Sequence, residues 1–356
     1  MMGDQVINGK KCRGMSELEK FEEIFPELVE DLTKPDVKNP EISQAIDWFK
    51  KVCEYNVPHG KKNRGVSVVT SYREFVPDAT DENLKRARIL GWCVEWLQAF
   101  FLVADDIMDQ SITRRGIPCW YKKENVGHIA INDSFFLEAA IYKLLKIHFR
   151  DQPYYTSIME LFHETTMQTV IGQCLDLTTV PPGGTVDFSS FTMDKYSGIV
   201  KWKTAFYSFY LPVALAMHMA GISDDKQHEN AKMILLQMGH FFQVQDDYLD
   251  CFGDPEVIGK IGTDIEDNKC GWLIVQALLN VNETQRQILQ ENYGQWDGSK
   301  VAKVKSVYKE IDLETVYRNY EESSYHELMD LIDKCSGSLP KDVFIKFAKK
   351  IYKRQK

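Results

Sequence analysis

The 356-residue sequence lacks the patterns of several protein classes. It has no CxxC pair, and its eight cysteines are scattered without the histidine spacing of a zinc site. It also has no excess of positive charge, since its net charge is −9. This charge argues against binding to nucleic acid or to an anionic membrane surface. These absences indicate reduced thiols in an intracellular protein rather than a disulfide framework or a zinc domain.

The sequence also lacks the patterns of targeting and membrane-spanning segments. Residues 1–21 contain no apolar run and too few arginines and serines for a transit peptide. The longest apolar stretch, residues 211–221, is too short to span a bilayer and includes Pro212 and His218. We therefore predict a soluble, cytoplasmic protein with no membrane span. Residues 1–15, predicted to be flexible, leave a mitochondrial or peroxisomal location open.

Alternating strand patterns and low-complexity linkers are absent as well. Helical periodicity dominates from residue 16 onward, in amphipathic segments that start after Thr80, at Asp133, at Tyr154 and at Asp224. An apolar content of 44% and a charged content of 27% are typical of a globular protein with a sizeable core. The sequence therefore predicts one all-α domain over residues 16–356, a bundle of about ten helices around a central cavity.

One acidic pattern is present twice. Residues 100–109 read FFLVADDIMD and residues 241–250 read FFQVQDDYLD, so each copy ends in DDxxD. Two carboxylates ~5 Å apart repel each other by about 3 kcal/mol at an effective dielectric of ~20, so a cation is expected at each copy. Neither copy has the D-x-D-x-D-G spacing of a calcium-binding loop.

Residues four apart on a helix share a face, about 6 Å apart along the axis. Asp105 can therefore act together with Asp109, and Asp246 with Asp250. Hard oxygen ligands without imidazole or thiolate partners suit Mg²⁺, which keeps several waters and takes phosphate oxygens from a substrate. The two motifs thus predict a metal-bridged diphosphate, and the alternative is a pair of solvated acidic helix ends.

Two basic segments complete this pattern. TRRG (113–116) follows the first acidic motif, and GKKNRG (60–65) forms a glycine-flanked loop. Guanidinium groups bind phosphate oxygens bidentately, so these segments predict a second anion site that needs no metal. The alternative is a solvated basic surface. Two diphosphates bound in this way would meet head to tail.

These motifs occur together with GQCLDL (172–177), KWKTAF (201–206) and GKIGTDIEDNKC (259–270). From about residue 16 to its end, the chain resembles the trans-isoprenyl diphosphate synthases, and within them the farnesyl diphosphate synthases of animals. The resemblance implies that isopentenyl diphosphate is joined to dimethylallyl and then to geranyl diphosphate, in two head-to-tail 1′–4 condensations. It also implies three Mg²⁺ ions, with Mn²⁺ or Co²⁺ as substitutes, and a homodimer.

The resemblance assigns roles to individual residues. Six carboxylates would bind the metals directly or through water: Asp105, Asp106, Asp109, Asp246, Asp247 and Asp250. The allylic diphosphate would contact Lys203, Lys260 and Arg114, while Thr204 and Gln243 would face the allylic cation. Isopentenyl diphosphate would bind Lys61, Arg64, Gln98, Arg115 and Arg354. Lys269 would close over the site, and Phe100 and Phe101 would stop the product at fifteen carbons.

Other functions on the same scaffold are a terpene cyclase, a geranyl diphosphate synthase and a non-catalytic partner subunit. A cyclase needs no second diphosphate site, so the two basic segments favour a synthase. A partner subunit would have lost one acidic motif, and both are intact here. The ratio of geranyl to farnesyl product stays open.

Overall fold

A computed structural model of the chain describes residues 15–34, 39–180, 186–258, 262–352 and 354. The predicted N-terminal segment 1–15 lies outside the described residues except for Met15. The seven cysteines among them are free thiols, in agreement with the expected reduced state.

The described residues are predominantly helical and contain almost no strand, which confirms the predicted all-α bundle. The first half contains α1 (Glu17–Glu23), α2 (Phe25–Thr33), α3 (Ser43–Asn56), α4 (Asn63–Phe75), α5 (Asp81–Met108), α6 (Ile129–Phe149) and α7 (Tyr155–Thr179). The second half contains α8 (Met193–Ile199), α9 (Leu211–Met219), α10 (Asp225–Phe252), α11 (Pro255–Ile258), α12 (Trp272–Asn280), α13 (Glu283–Asn292), α14 (Gly298–Glu310), α15 (Leu313–Cys335) and α16 (Lys341–Ile351). Short 3₁₀ turns occupy Pro40–Ile42, Trp120–Lys122 and Phe188–Ser190.

Local capping explains where the two motif-bearing helices begin. The Thr80 hydroxyl accepts a hydrogen bond from the Asn83 backbone N–H (3.2 Å) at the start of α5. The Asp224 carboxylate does the same for Gln227 (2.9 Å) at the start of α10. Each cap satisfies one of the free N–H groups of a first helical turn, and both helices start where the sequence predicts.

The predicted start of α6 at Asp133 was wrong, because the helix begins a turn earlier, at Ile129. Asp133 does not cap the helix. Its fully buried carboxylate accepts hydrogen bonds from the indoles of Trp48 (2.9 Å) and Trp120 (2.8 Å). An aspartate that caps a helix and an aspartate that accepts hydrogen bonds from buried indoles look alike in the sequence. Only the tertiary packing distinguishes them.

A two-stranded hairpin is the one piece of β-structure among the described residues. Strands β1 (Thr113–Arg114) and β2 (Ile117–Pro118) pair antiparallel. The two loop residues, Arg115 and Gly116, both have positive φ (54° and 78°), as a type I′ turn requires. The tight turn therefore fixes two consecutive arginines close behind the first acidic motif.

Between α8 and α9 the chain forms a π-helix, Val200–Tyr210, hereafter the π segment. π-Helices are rare, usually short and frequent at functional sites. This segment carries Lys203 and Thr204. It packs against α7 at Gly172, where an added methyl group would overlap the Lys203 backbone nitrogen. It packs against α10 at Gly239, where the same group would lie 2.5 Å from Ala205 Cβ.

The interior consists of two apolar clusters. In the larger one, Trp92 of α5 stacks on Phe21 with 4.6 Å between ring centroids. The smaller one surrounds α12 and includes Trp272 and Tyr293. Tyr320 of α15 packs against both clusters and so connects them.

Helix α5 is the one described helix that is long and apolar enough to cross a membrane by length and composition. Of its most apolar window, 78% is buried inside the protein, and a core helix passes the same test. Glu95 interrupts the apolar run of this window.

Replacing Gly172 tests how the π segment is held. Gly172→Ala should lower the free energy of unfolding by about 1–3 kcal/mol, because the new methyl group overlaps the Lys203 backbone. Urea unfolding followed by circular dichroism measures the change. As a control, Gly298→Ala at the start of α14 meets nothing within 4 Å and should shift stability by no more than about 0.5 kcal/mol. Equal urea midpoints for Gly172→Ala and the wild type would contradict the proposed close packing.

Candidate active site

Both acidic motifs lie at the C-terminal ends of long helices. Asp105 is in the last turn of α5, which Asp109 caps, and Asp246 and Asp250 are in the last two turns of α10. A helix C-terminus carries a partial negative charge, so it adds to the repulsion among these carboxylates. Nearby cations are therefore needed to keep the aspartates ionised.

Three basic side chains reach the first motif. Asp105 lies 3.4 Å from the Lys203 ammonium and 3.4 Å from the Arg114 guanidinium. Asp109 lies 3.0 Å from the Lys269 ammonium. Gln173 of α7 also donates a hydrogen bond to Asp105 (2.9 Å). The π segment, the β-hairpin and the loop between α11 and α12 thus converge on the end of α5.

Asp176 holds two of these cations together. Its carboxylate lies 2.7 Å from the Lys203 ammonium and 3.4 Å from that of Lys269. Burial alone would raise the pKa of Asp176, but the charges and hydrogen bonds of the two lysines outweigh it and hold that pKa below its usual value. Burial likewise disfavours the charged lysines, and the surrounding carboxylates more than compensate, so both lysine pKa values are raised.

The second aspartate of each motif is turned into the protein. Asp106 is buried and accepts hydrogen bonds from both Nε (3.0 Å) and Nη2 of Arg114. Asp247 accepts hydrogen bonds from the Trp272 backbone N–H (2.7 Å) and the Gln243 amide (2.9 Å). Burial raises the pKa of both carboxyl groups, that of Asp247 to about 7. These two residues therefore orient Arg114 and Gln243.

Arg354, near the C-terminus of the chain, contacts the second acidic motif. The Arg354 guanidinium lies 3.3 Å from Asp246, and it stacks 3.7 Å from the centroid of the Phe242 ring. Asp250 accepts a hydrogen bond from the Asp264 backbone N–H (3.1 Å), which ties the loop between α11 and α12 to the end of α10. Lys260 lies outside the described residues.

The second basic cluster is built around Arg64 of α4. The predicted loop over residues 60–65 was wrong in its second half, because α4 already begins at Asn63. Its Nε donates to the Ser208 hydroxyl (2.8 Å), and its Nη1 donates to the Gln98 amide oxygen (2.8 Å) once that amide is oriented to satisfy both neighbours. In the same orientation Gln98 donates to Glu95 (3.1 Å). Burial raises the pKa of Glu95 even though Arg64 and Arg115 lie nearby. Gln98 thus joins a buried carboxylate to an arginine of the predicted substrate site.

The remaining predicted cations are distributed around this cluster. Arg115 donates to the His59 carbonyl and packs on Gly60, where a Cβ would lie 2.8 Å from the guanidinium. Its charge lies close enough to Arg64 to lower the Arg115 pKa, after the larger effect of burial. Lys61 lies close enough to Lys350 to add to the burial that lowers the pKa of Lys350.

The two phenylalanines precede the first motif on α5 and pack against each other. Phe100 is buried, and its ring lies 4.8 Å from that of Phe101. Phe101 in turn packs edge-on against Tyr207 of the π segment, at 5.6 Å. Thr204, half-buried, follows Lys203 in the same segment.

The donor set suits a hard divalent cation. Across the described ranges, no group of three or more His, Cys, Asp or Glu side chains is arranged to enclose a metal ion. Mg²⁺ does not need such a cage, because it usually takes one or two carboxylates and completes its shell with water and phosphate. Asp105 and Asp109, one helical turn apart, match that requirement.

Sequence reasoning missed Glu95, Tyr207 and Ser208. Glu95 had a usable signal, since it is a carboxylate within an apolar run, one turn before Gln98. Ser208 and Tyr207 had none, because their side-chain contacts with Arg64 join elements that are distant in the sequence.

Comparison with known proteins identifies the family of the chain. Residues 46–311 match the family model described as "Polyprenyl synthetase". The chain belongs to the polyprenyl synthetase family. It is similar to the farnesyl pyrophosphate synthase of Gallus gallus, with 56% identity over 96% of this chain and 93% of that one. With its Homo sapiens counterpart it shares 57% identity over 96% of this chain and 81% of the other.

Solved structures of the family agree with this assignment. The crystal structure of T. brucei farnesyl diphosphate synthase covers 96% of this chain and 100% of its own length, with 32% identity and a TM-score of 0.88. The predicted fold class and family are therefore confirmed. As a polyprenyl synthetase, the chain is a prenyltransferase.

Replacing Asp176 tests whether its carboxylate stabilises the paired ammonium groups of Lys203 and Lys269. Asp176→Asn should lower the free energy of unfolding by roughly 2–4 kcal/mol at pH 7, because two partly buried ammonium groups lose a common partner. The pKa of Asp176 is depressed in the folded state. The difference in the free energy of unfolding between wild type and variant therefore has its full value above about pH 4–5. It becomes smaller as the pH falls further.

Chemical denaturation at several pH values measures this difference. The control is Asp330→Asn, whose side chain is 74% exposed beside Lys334 and should contribute less than about 1 kcal/mol. A difference for Asp176→Asn that does not decrease between pH 5 and pH 3 would refute the assigned ionisation.

Proposed function

We propose that the chain is a farnesyl diphosphate synthase, which condenses isopentenyl diphosphate with dimethylallyl and then geranyl diphosphate. The observation that carries this proposal is the presence of two separate groups of cations. Lys203, Lys269 and Arg114 lie at the first acidic motif, while Arg64 and Arg115 form a cluster that touches neither motif in the described contacts. A terpene cyclase would need only the first group.

Asp105, Asp109, Asp246 and Asp250 would hold the divalent metal, which the family resemblance suggests is Mg²⁺ with three ions per site. When bound, the metal supplies Lewis acidity to the departing diphosphate. Asp106 and Asp247 act indirectly, since they orient Arg114 and Gln243.

The allylic diphosphate binds where Lys203, Lys269 and Arg114 now contact carboxylates, and the family resemblance adds Lys260. Ammonium and guanidinium groups are strong donors to phosphate oxygens. As the allylic C–O bond breaks, positive charge develops on the hydrocarbon. The Thr204 hydroxyl, the Lys203 carbonyl and the Gln243 amide oxygen are fixed dipoles that stabilise this charge without reorganising.

Isopentenyl diphosphate binds to Arg64, Arg115 and Lys61, with Gln98 holding Arg64 and Arg354 closing from the C-terminus. Its double bond donates an electron pair to the allylic carbon and forms the new C–C bond. A proton then leaves the adjacent carbon, and the released diphosphate is its acceptor. Lys269 and Arg354 exclude water, which would otherwise capture the cation.

Phe100 and Phe101 limit the length of the product. They lie about 7.5 and 6 Å below Asp105 along the helix axis, where the growing hydrocarbon must end. Tyr207 of the π segment packs against Phe101 and so holds its ring at the place where the hydrocarbon must end.

We further propose a homodimer, a single domain over residues 16–356 and a cytoplasmic location. The dimer rests on an apolar surface of α6 and α7, defined by Ile131, Phe135, Met167, Val170 and Ile171, which are 46–62% exposed. Exposed apolar residues at this spacing along adjacent helices favour an interface. A second copy of the chain would cover this surface in a two-fold dimer, where the same patch of each copy contacts the other.

A product assay tests the enzymatic proposal. The purified chain, given isopentenyl diphosphate, dimethylallyl diphosphate and Mg²⁺, should yield mainly farnesol after dephosphorylation, and none with EDTA. Phe101→Ala should extend the product beyond fifteen carbons because it removes part of the floor. Phe241→Leu, at a fully buried core position in the second motif, is the control and should keep the product at fifteen carbons. Cyclic hydrocarbons without condensation would overturn the proposal.

The proposed dimer is tested by light scattering after size exclusion. Wild type should have twice the chain mass, and Phe135→Asp should shift the protein to monomer because it buries a charge in the interface. Leu279→Asp, which changes a 69% exposed residue of α12, should leave the mass unchanged. A monomeric wild type, or a dimeric Phe135→Asp, would rule out this surface.

A further inference from the structure

Arg64 is immobilised on three sides. Ser208 accepts its Nε–H at 2.8 Å, Gln98 accepts an Nη1–H at 2.8 Å, and the guanidinium lies 4.9 Å from the centroid of the Tyr207 ring. Ser208 is only 8% exposed, so water competes poorly for the Nε bond. This arrangement leaves the Nη2 edge and one Nη1 proton for a ligand.

The Nε bond selects which edge of the guanidinium a ligand meets. An arginine binds a phosphate bidentately either through Nε and Nη2 or through its two Nη groups. Because Ser208 occupies Nε, the end-on Nη edge is the one that remains. Without Ser208 the side chain gains rotational freedom and an unsatisfied donor, and both reduce the binding of a diphosphate.

Ser208 also connects the two substrate sites. It lies in the π segment, one wide helical turn after Lys203 and Thr204. Lys203 is in turn paired with Asp105 and Asp176. One short piece of backbone therefore carries the residues proposed for the allylic diphosphate and the group that orients Arg64. This backbone sets the separation between the two diphosphates.

We propose that Ser208 is a positioning residue for isopentenyl diphosphate, acting through the Nε of Arg64. The inference rests on the proposed function. Ser208 touches no reacting atom in this assignment, and its effect is confined to the homoallylic site.

Steady-state kinetics of the full chain with Mg²⁺ and varied concentrations of each substrate provide the test. Ser208→Ala should raise the KM for isopentenyl diphosphate about five- to thirty-fold, as expected for one lost hydrogen bond to a charged group. The KM for geranyl diphosphate should change less than about two-fold. Ser208→Thr keeps a hydroxyl at the position and should recover most of the affinity.

A matched control and a double mutant separate positioning from a general structural effect. Ser134→Ala removes a buried hydroxyl that bonds only to the Ile131 carbonyl of its own helix, and it should leave both KM values unchanged. Arg64→Lys lacks Nε, so adding Ser208→Ala to that variant should change the KM for isopentenyl diphosphate less than about two-fold. Full additivity, or an equal rise in both KM values, would overturn the inference.

Calorimetric titration with isopentenyl diphosphate distinguishes this inference from the proposed function. A wild type that binds isopentenyl diphosphate but never condenses it would overturn the proposed function alone. Active wild type together with an unchanged Kd for Ser208→Ala would overturn the positioning role alone.

Discussion

Repulsion among aspartates at the ends of α5 and α10 is the constraint on which the site depends. The negative ends of both helices add to the repulsion of the two DDxxD motifs. The chain offsets it with cations from distant elements: Arg114 from the β-hairpin, Lys203 from the π segment, Lys269 from the loop between α11 and α12 and Arg354 from the C-terminus. Buried Asp176 then holds two of these lysines together. The charges at the site are thus already paired within the chain.

This pairing explains how the site can accept a highly charged substrate complex. The carboxylates are the proposed metal ligands, and the cations are the proposed diphosphate ligands. A metal arriving alone would have to displace the lysines, and a diphosphate arriving alone would have to displace the aspartates. Joint binding exchanges one set of paired charges for another, so it avoids leaving either sign of charge buried without a partner. The second site differs, because Arg64 is already oriented by neutral groups, Ser208 and Gln98.

Much of this arrangement could be predicted from the sequence, since helix caps, DDxxD spacing and glycine-flanked basic segments are local patterns. Thr80 and Asp224 cap the helices that carry the motifs, as their positions indicate. The π segment could not be predicted, because its backbone geometry depends on close packing against Gly172 and Gly239. The start of α6 was misplaced for a related reason: two distant indoles bury the carboxylate of Asp133. Contacts between elements have no signature within either element alone.

The most direct test of this account is calorimetric titration of Mg²⁺ into the full chain, with and without inorganic pyrophosphate. The titration is corrected for the association of Mg²⁺ with pyrophosphate in solution. Mutual neutralisation of aspartates and lysines predicts that pyrophosphate tightens Mg²⁺ binding by tenfold or more, and that Mg²⁺ tightens pyrophosphate binding by the same factor. Mg²⁺ binding that is equally tight without pyrophosphate would contradict the account, because the carboxylates would then be free of their internal cations.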